Sequence, residues 1–130
     1  MMPAGRILVA DGDPAVRNLA REALGRAGWA VDACADGWEA LAKYDPARHA
    51  ALVLAVHMPK FTGIDVARLL RGGQDDVPVV FMSGQYDGPT ALACAELPRV
   101  RFLGKPFGKE ALLDFVGSGS GDRSQEGGGV

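Results

Sequence analysis

The feature that most constrains this chain is an unbroken apolar run that stops shortly before a proline. Residues Ala51 to Val56 read ALVLAV, and the chain continues HMPKFTG up to Gly63. Such a run is typical of a central strand that is buried on both faces of a sheet. Pro59 lacks the N–H that a sheet needs and disfavours helix in the residue before it, so the strand must pass into a loop. Gly63 is expected to supply a positive φ in this loop, with a helix starting at Ile64.

Apolar runs and helical spacings alternate five times along the chain. The predicted strands are Arg6–Ala10, Trp29–Ala35, Ala51–Val56, Val77–Met82 and Val100–Gly104, and the predicted helices are Pro14–Arg26, Trp38–Tyr44, Ile64–Arg71, Pro89–Glu96 and Lys109–Val116. This alternation predicts a parallel sheet with helices on both faces. Right-handed crossovers then predict a flavodoxin-like, doubly wound α/β fold with strand order 2-1-3-4-5. Asp32, in the middle of the second strand, indicates an edge position.

Length and composition are those of one domain. The chain has 130 residues, of which 48% are hydrophobic and 23% charged, which suits a globular domain with its own core. From Gly117 the sequence reads GSGSGDRSQEGGGV, which contains almost no apolar residue. We therefore expect a folded domain over residues 1–116 and a flexible, Gly/Ser-rich tail over residues 117–130.

Charge and hydropathy exclude several classes of protein. The formal net charge is −2, so no basic excess points to nucleic acid or to an anionic membrane surface. No apolar run approaches the ~18 residues that span a bilayer, and the amino terminus lacks the layout of a signal peptide, so we expect a cytoplasmic protein. Cys34 and Cys94 lack metal-ligand spacing and are expected to be buried thiols rather than a disulfide.

Candidate site residues follow the strands of the predicted sheet. In a doubly wound fold, sites form outside the carboxyl ends of the strands, where the strand order reverses. These ends carry Asp11, Ala55, Ser83 and Lys105. The residues themselves leave open whether Asp11 faces a pocket or is a solvated loop carboxylate, and whether Ser83 is functional or structural. We interpret His57 as an exposed loop residue.

The chain resembles bacterial response-regulator receiver domains. The resemblance covers nearly all of residues 6–116 and rests on Met58-Pro59 with Gly63 after the third strand, and on Lys105-Pro106-Phe107 after the fifth. It implies a role in two-component phosphorelay signalling and a cis bond before Pro106. It also implies a pocket at the strand ends with Asp11, Ser83 and Lys105 as its members, and an aromatic switch position at Phe102.

Two positions depart from the pattern of that family. Ala55 stands where the phosphoacceptor aspartate is expected, and Gly12 stands where the family has the second carboxylate of its Mg²⁺-binding pair. A methyl group cannot replace the carboxylate nucleophile, and a glycine cannot supply a hard oxygen ligand from a side chain. The resemblance therefore implies a degenerate site with no catalytic residue, no cofactor and weak or absent Mg²⁺ binding. With fewer acidic groups at the site, we expect Asp11 to pair directly with Lys105.

Three functions remain open on the sequence. The first is a pseudo-receiver that acts by protein–protein interaction through the face of its fourth helix, fifth strand and fifth helix, with Phe102 and Pro106 as switch or interaction residues. Its partner would be a histidine kinase or a second copy of the chain. The second is a normal phosphoacceptor receiver that carries an engineered Asp-to-Ala change at Ala55, although Gly12 argues against it. The third is an enzyme or small-ligand binder, but the sequence has no Gly-rich phosphate loop, metal-ligand cluster or nucleophile elbow, so we do not expect an enzyme.

Overall fold

Five strands and five helices alternate along the part of the chain that the structure describes. The structure is a computed structural model, and it describes residues 5–119. The elements are β1 Arg6–Ala10, α1 Pro14–Arg26, β2 Ala30–Cys34, α2 Gly37–Lys43, β3 His49–Ala55, α3 Gly63–Gly72, β4 Val79–Ser83, α4 Gly88–Glu96, β5 Val100–Gly104 and α5 Lys109–Gly119. Each predicted strand and helix is present, and all the ends except that of α5 lie within two residues of the prediction.

The strands form one parallel sheet in the order β2-β1-β3-β4-β5. This confirms the predicted doubly wound, flavodoxin-like topology, and β2 is an edge strand, as Asp32 indicated. The centre of β3 is fully buried, with Leu52, Val53 and Leu54 each 0% exposed. Helices on both faces of the sheet exclude water from this strand, which explains why its sequence is an unbroken apolar run.

The start of β3 and the end of α5 are two of the element boundaries that differ from the prediction. β3 begins at His49 rather than Ala51. The histidine can lie inside the protein because its ring is hydrogen-bonded to Asp32 on β2. α5 continues to Gly119, past the predicted domain boundary at residue 116. The predicted tail otherwise lies outside the described residues, so the division of the chain at residue 116 stays a prediction.

Side-chain caps set where the helices begin. Asp13 precedes α1 and accepts a hydrogen bond from the Ala15 N–H at 2.9 Å, as an N-cap aspartate does. Thr62 precedes α3 in a capping box with Asp65, in which each side chain accepts a hydrogen bond from the other residue's N–H. Because these caps lie at the carboxyl ends of the strands, they also fix the loops that frame the candidate site.

Arg71 ties α3 to two loops at the amino end of the sheet. Its guanidinium donates hydrogen bonds to four backbone carbonyl oxygens, those of Asp75 and Val77 at 2.8 Å, Pro98 at 3.0 Å and Arg99 at 3.3 Å. Burial lowers the pKa of this guanidinium from its ordinary value. One side chain thus satisfies carbonyls of the segments that lead into β4 and β5.

The described residues contain no helix that is long and apolar enough to cross a membrane. Cys34 and Cys94 are both free thiols rather than a disulfide, as predicted, but only Cys34 is buried, and Cys94 is partly exposed. Burial raises the pKa of the Cys34 thiol to about 11, which disfavours the nucleophilic thiolate form.

Candidate functional site

The carboxyl ends of four strands bring the predicted site residues to one edge of the sheet. Asp11 follows β1, Ala55 ends β3, Ser83 ends β4 and Lys105 follows β5. Backbone hydrogen bonds continue past the strand ends, since the Lys105 N–H donates to the Ser83 carbonyl at 2.8 Å. Asp11, Ala55 and Ser83 are 2%, 1% and 3% exposed, so these three residues are closed to solvent.

Asp11 and Lys105 form a direct ion pair. Lys105 Nζ lies 2.7 Å from Asp11 Oδ2, with side-chain exposures of 27% and 3%. The ammonium approaches that oxygen outside hydrogen-bond geometry, so the contact is electrostatic. The other oxygen, Oδ1, accepts a hydrogen bond from the Asp13 N–H at 2.9 Å. The pairing expected from the sequence is present, and Asp11 is a buried carboxylate rather than a solvated one.

Gly63 is needed at this edge for close packing. It is the first residue of α3, and a Cβ there would overlap the carbonyl of Ala55. The prediction that Gly63 supplies a positive φ is wrong, because among the described glycines only Gly28 has one, and the left-handed residue of this loop is Lys60 with φ of 71°. The glycine is required because the backbone of α3 approaches the end of β3 closely.

Gly12 has no comparable requirement. A Cβ at this position would lie 3.7 Å from both the Ala35 carbonyl oxygen and Pro59 Cδ, which is ordinary van der Waals contact. Its φ is not positive. Backbone geometry therefore does not demand glycine at position 12, and the position has room for a Cβ.

Ser83 faces the loop that follows its strand. Its Oγ accepts a hydrogen bond from the Gln85 N–H at 3.1 Å, which stabilises the turn between β4 and α4. This contact gives Ser83 a structural role in the present state.

Aromatic side chains lie beside the site. Phe102 is half-buried and packs edge-on against Tyr86, with ring centroids 4.7 Å apart and an interplanar angle of 66°. Trp38 stacks on Phe61 at 4.8 Å and remains 55% exposed. The bond between Lys105 and Pro106 is cis, as the family resemblance implied.

Two further side chains contribute to the site or lie near it. Arg17 donates from Nη1 to the Asp11 carbonyl oxygen at 2.8 Å, which holds the end of β1 against α1. No local signal in the sequence indicated this contact. His57 lies in the loop after β3 with a side chain that is 58% exposed, which agrees with its interpretation as a loop residue.

This edge of the sheet offers few free carboxylate oxygens for a magnesium ion. Mg²⁺ requires oxygen ligands in octahedral geometry, usually including more than one carboxylate or phosphate oxygen. This edge offers the carboxylate of Asp11, and the Lys105 ammonium already contacts it. The neighbouring carboxylate of Asp13 caps α1. Over residues 5–119, no group of three or more His, Cys, Asp or Glu side chains is arranged to hold a metal.

Comparison with known proteins identifies the family. A sequence model described as the response regulator receiver domain matches residues 7–117. This chain belongs to the response regulator receiver domain family. The receiver domain is 40% identical over 108 residues to the response regulator MprA of Mycobacterium tuberculosis, covering 83% of this chain and 47% of that protein. It thus spans about half the length of the curated relatives that it matches.

Solved structures agree with this assignment. The receiver domain is similar to the chemotaxis response regulator CheY4 of Vibrio cholerae, with a TM-score of 0.80 and 26% identity over 90% of this chain and 99% of that one. It is also similar to the non-phosphorylated HemR receiver domain of Leptospira biflexa, with a TM-score of 0.81 and 25% identity over 90% and 94% of the two chains. Receiver domains belong to two-component signalling and interact with proteins such as histidine kinases.

Proposed function

We propose that this receiver domain is a pseudo-receiver, which signals by binding protein partners without aspartyl phosphorylation. The observation that carries the proposal is the contact between Lys105 Nζ and Asp11 Oδ2 at 2.7 Å, beside a buried methyl group at Ala55. In this arrangement the lysine is paired with the remaining acid, and no carboxylate stands at the end of β3.

Both chemical requirements for phosphoryl transfer to this site are missing. The transfer needs an oxygen nucleophile in line with the phosphorus, and alanine at position 55 supplies none. It also needs cationic charge from a metal to stabilise the transferring group, and Gly12 contributes no carboxylate to hold that metal. We therefore propose that Mg²⁺ binding is weak or absent and that the domain has no catalytic residue.

The partner surface that we propose is the face formed by α4, β5 and α5. It carries Leu92, which is 53% exposed on α4, and the half-buried Phe102 on β5, whose ring packs against Tyr86, a residue that is 57% exposed in the loop before α4. The guanidinium of Arg101 lies 4.7 Å from the centroid of the Phe115 ring on α5. Exposed apolar and aromatic groups next to an arginine are typical of the centre of a protein interface. The proposed partner is a histidine kinase or a second copy of the chain, and the net charge of −2 gives no support to nucleic acid.

Beryllofluoride, a mimic of a phosphoryl group on aspartate, tests the proposal. Amide NMR spectra would be recorded with Mg²⁺ and increasing beryllofluoride for the native sequence and for a Gly12→Asp/Ala55→Asp double variant. We expect no shift of the Asp11, Ser83 and Lys105 amides in the native sequence at millimolar ligand. We expect saturable shifts in the double variant, because the backbone at position 12 accepts a Cβ without a clash.

Other outcomes separate the alternatives. Saturable shifts in the native sequence would overturn the proposal, since Asp11 or Asp13 would then act as acceptor or ligand. Saturation of a single Ala55→Asp variant would support the alternative in which only the nucleophile has been lost from a working receiver. A double variant that folds but does not respond would show that the departure from the family extends beyond these two positions.

A further inference from the structure

A buried histidine lies at the amino end of the sheet, opposite the candidate site. The side chain of His49, the first residue of β3, is 2% exposed. Its Nε2 lies 2.8 Å from Asp32 Oδ2 on β2. Its Nδ1 accepts a hydrogen bond from the Asp45 N–H at 3.0 Å, in the loop between α2 and β3. Both ring nitrogens are therefore occupied, each by a partner of a different kind.

These partners fix the protonation state of the ring. A backbone N–H can only donate, so Nδ1 must carry a lone pair. An ionised carboxylate can only accept, so Nε2 must carry the proton. Burial pushes the pKa of Asp32 up, but the hydrogen bond to His49 and the charge of Arg6 outweigh it and hold that pKa below its usual range. The assembled arrangement therefore requires the neutral ring with its proton on Nε2.

We propose that the loop between α2 and β3, residues 44–48, is a proton-sensitive segment controlled by His49. Protonation adds a hydrogen to Nδ1, which then faces the Asp45 N–H, and two donors cannot share a hydrogen bond. The opposite side of the ring is unaffected, because the imidazolium still donates from Nε2 to Asp32. The ring thus keeps its link to β2 and loses its link to the loop.

The groups around the ring determine how far the change spreads. Arg6 Nη1 on β1 occupies the second oxygen of Asp32 at 2.9 Å. Tyr44, at the end of α2, stacks on the imidazole at 5.8 Å between ring centroids, and its hydroxyl donates to Asp75 Oδ2 at 2.7 Å. The Asp45 carboxylate points back into its own loop, where it accepts from the Ala47 N–H at 2.9 Å. Two backbone hydrogen bonds, from the Arg48 and His49 N–H groups to the Asp45 carbonyl at 2.9 Å, do not involve the ring. The change that we propose is therefore local to the Asp45 N–H next to Tyr44, while Asp32 and Arg6 remain in place.

Imidazole is the side chain whose ordinary titration falls between about pH 5 and about pH 8, so NMR over that range tests the proposal. The chain has a matched control, because its other histidine in the sequence, His57, is exposed in a different loop. Nitrogen-15 spectra of the two imidazoles at about pH 8 would assign the tautomer of His49. The amide signal and the hydrogen-exchange protection of Asp45 would then be followed as the pH is lowered.

We expect the Nε2–H tautomer at the upper end of this range. As the ring gains its second proton, we expect the Asp45 amide to shift and to lose protection by roughly tenfold, the effect of one net hydrogen bond. A His57→Gln variant should keep this transition, and a His49→Asn variant should abolish it, since its amide oxygen can stand near the position of Nδ1 without titrating. A proton on Nδ1 at about pH 8, or an Asp45 amide that does not respond when the ring is protonated, would overturn the proposal. Both of these results come from the native sequence and do not depend on the folding of a variant.

Discussion

Ala55 and Gly63 meet backbone to backbone at the end of β3, and this contact makes a prediction at the scale of one residue. A Cβ at position 63 would overlap the Ala55 carbonyl, whereas one at Gly25 in α1 would meet nothing within 4 Å. We expect Gly63→Ala to lower the free energy of unfolding by about 1–3 kcal/mol through overpacking. Gly25→Ala should raise it by about 0.5–1 kcal/mol through helix propensity. Urea denaturation of both variants measures these changes in the free energy of unfolding. Equal changes in the two variants would contradict the packing argument.

The ion pair at the site makes a second prediction. Lys105→Met leaves the buried Asp11 carboxylate without its counter-charge. We expect a loss of about 3 kcal/mol in the free energy of unfolding, the lower end for a broken buried pair because the lysine is 27% exposed. Asp11→Asn combined with Lys105→Met should be less harmful than the sum of the single changes. A double-mutant cycle measures this coupling, and additive effects would show that the two charges do not stabilise each other.

Residues with local motifs were predictable, and residues whose partners are distant in sequence were not. The loops after β3 and β5 were predictable from their prolines, in Met58-Pro59 and Lys105-Pro106-Phe107. The placement of Asp11, Ser83 and Lys105 at one edge of the sheet followed from the predicted parallel strand order. Arg17 and His49 gave no such signal, because an arginine on a polar helix face and a histidine before an apolar run are ordinary patterns. Only the folded chain brings them to their partners.

At the scale of elements, Arg71 joins α3 to the segments before β4 and β5, and a conservative change tests its importance. Lysine keeps the charge but cannot reproduce a planar fork that reaches four carbonyl oxygens. We expect Arg71→Lys to lower the free energy of unfolding by about 1.5–3 kcal/mol. The matched control is Arg68→Lys on the same helix, where an exposed pair with Glu96 at 3.5 Å should be worth less than about 0.5 kcal/mol. Similar losses in the two variants would contradict this account.

The ends of the elements were predictable where a cap or breaker marks them. Asp13 and Pro14 mark the start of α1, and the structure begins the helix there. The start of β3 was missed because its first residue, His49, is polar and its hydrogen-bond partner is the distant Asp32. Asp32 lies on β2, which is separated from β3 in the sheet by β1. A buried polar group looks like a loop residue until its partner is known.

At the scale of the whole molecule, a fourth prediction concerns how the free energy of unfolding changes at low pH. The pKa of Asp32 is lower in the folded protein than in an unfolded chain, where it is about 3.9. Its contribution to stability is therefore present above that value and is lost as the pH falls through it toward the folded pKa. We expect the free energy of unfolding to fall more steeply between about pH 5 and about pH 3 in the native sequence than in Asp32→Asn. Parallel urea-denaturation profiles for the two proteins over this range would contradict the prediction.

The topology as a whole was accessible from the sequence because the alternation of apolar runs and helical faces leaves few arrangements once crossovers are right-handed. Edge and centre could also be told apart, since β3 is uniformly apolar while β2 carries Asp32. The hydropathy pattern of the sequence does not indicate which glycines pack against the backbone of distant residues. Gly63 and Gly12 look alike in the sequence, yet only Gly63 is required by its neighbours.

Lys105 supplies Asp11 with a counter-charge that is covalently part of the chain. A cation taken from solution stabilises a fold by mass action, so its contribution rises and falls with the concentration of free ion. Here the compensating charge is present in every copy at fixed stoichiometry. On the proposed function, we therefore expect the folded fraction of this domain to stay constant when the magnesium level of its surroundings changes.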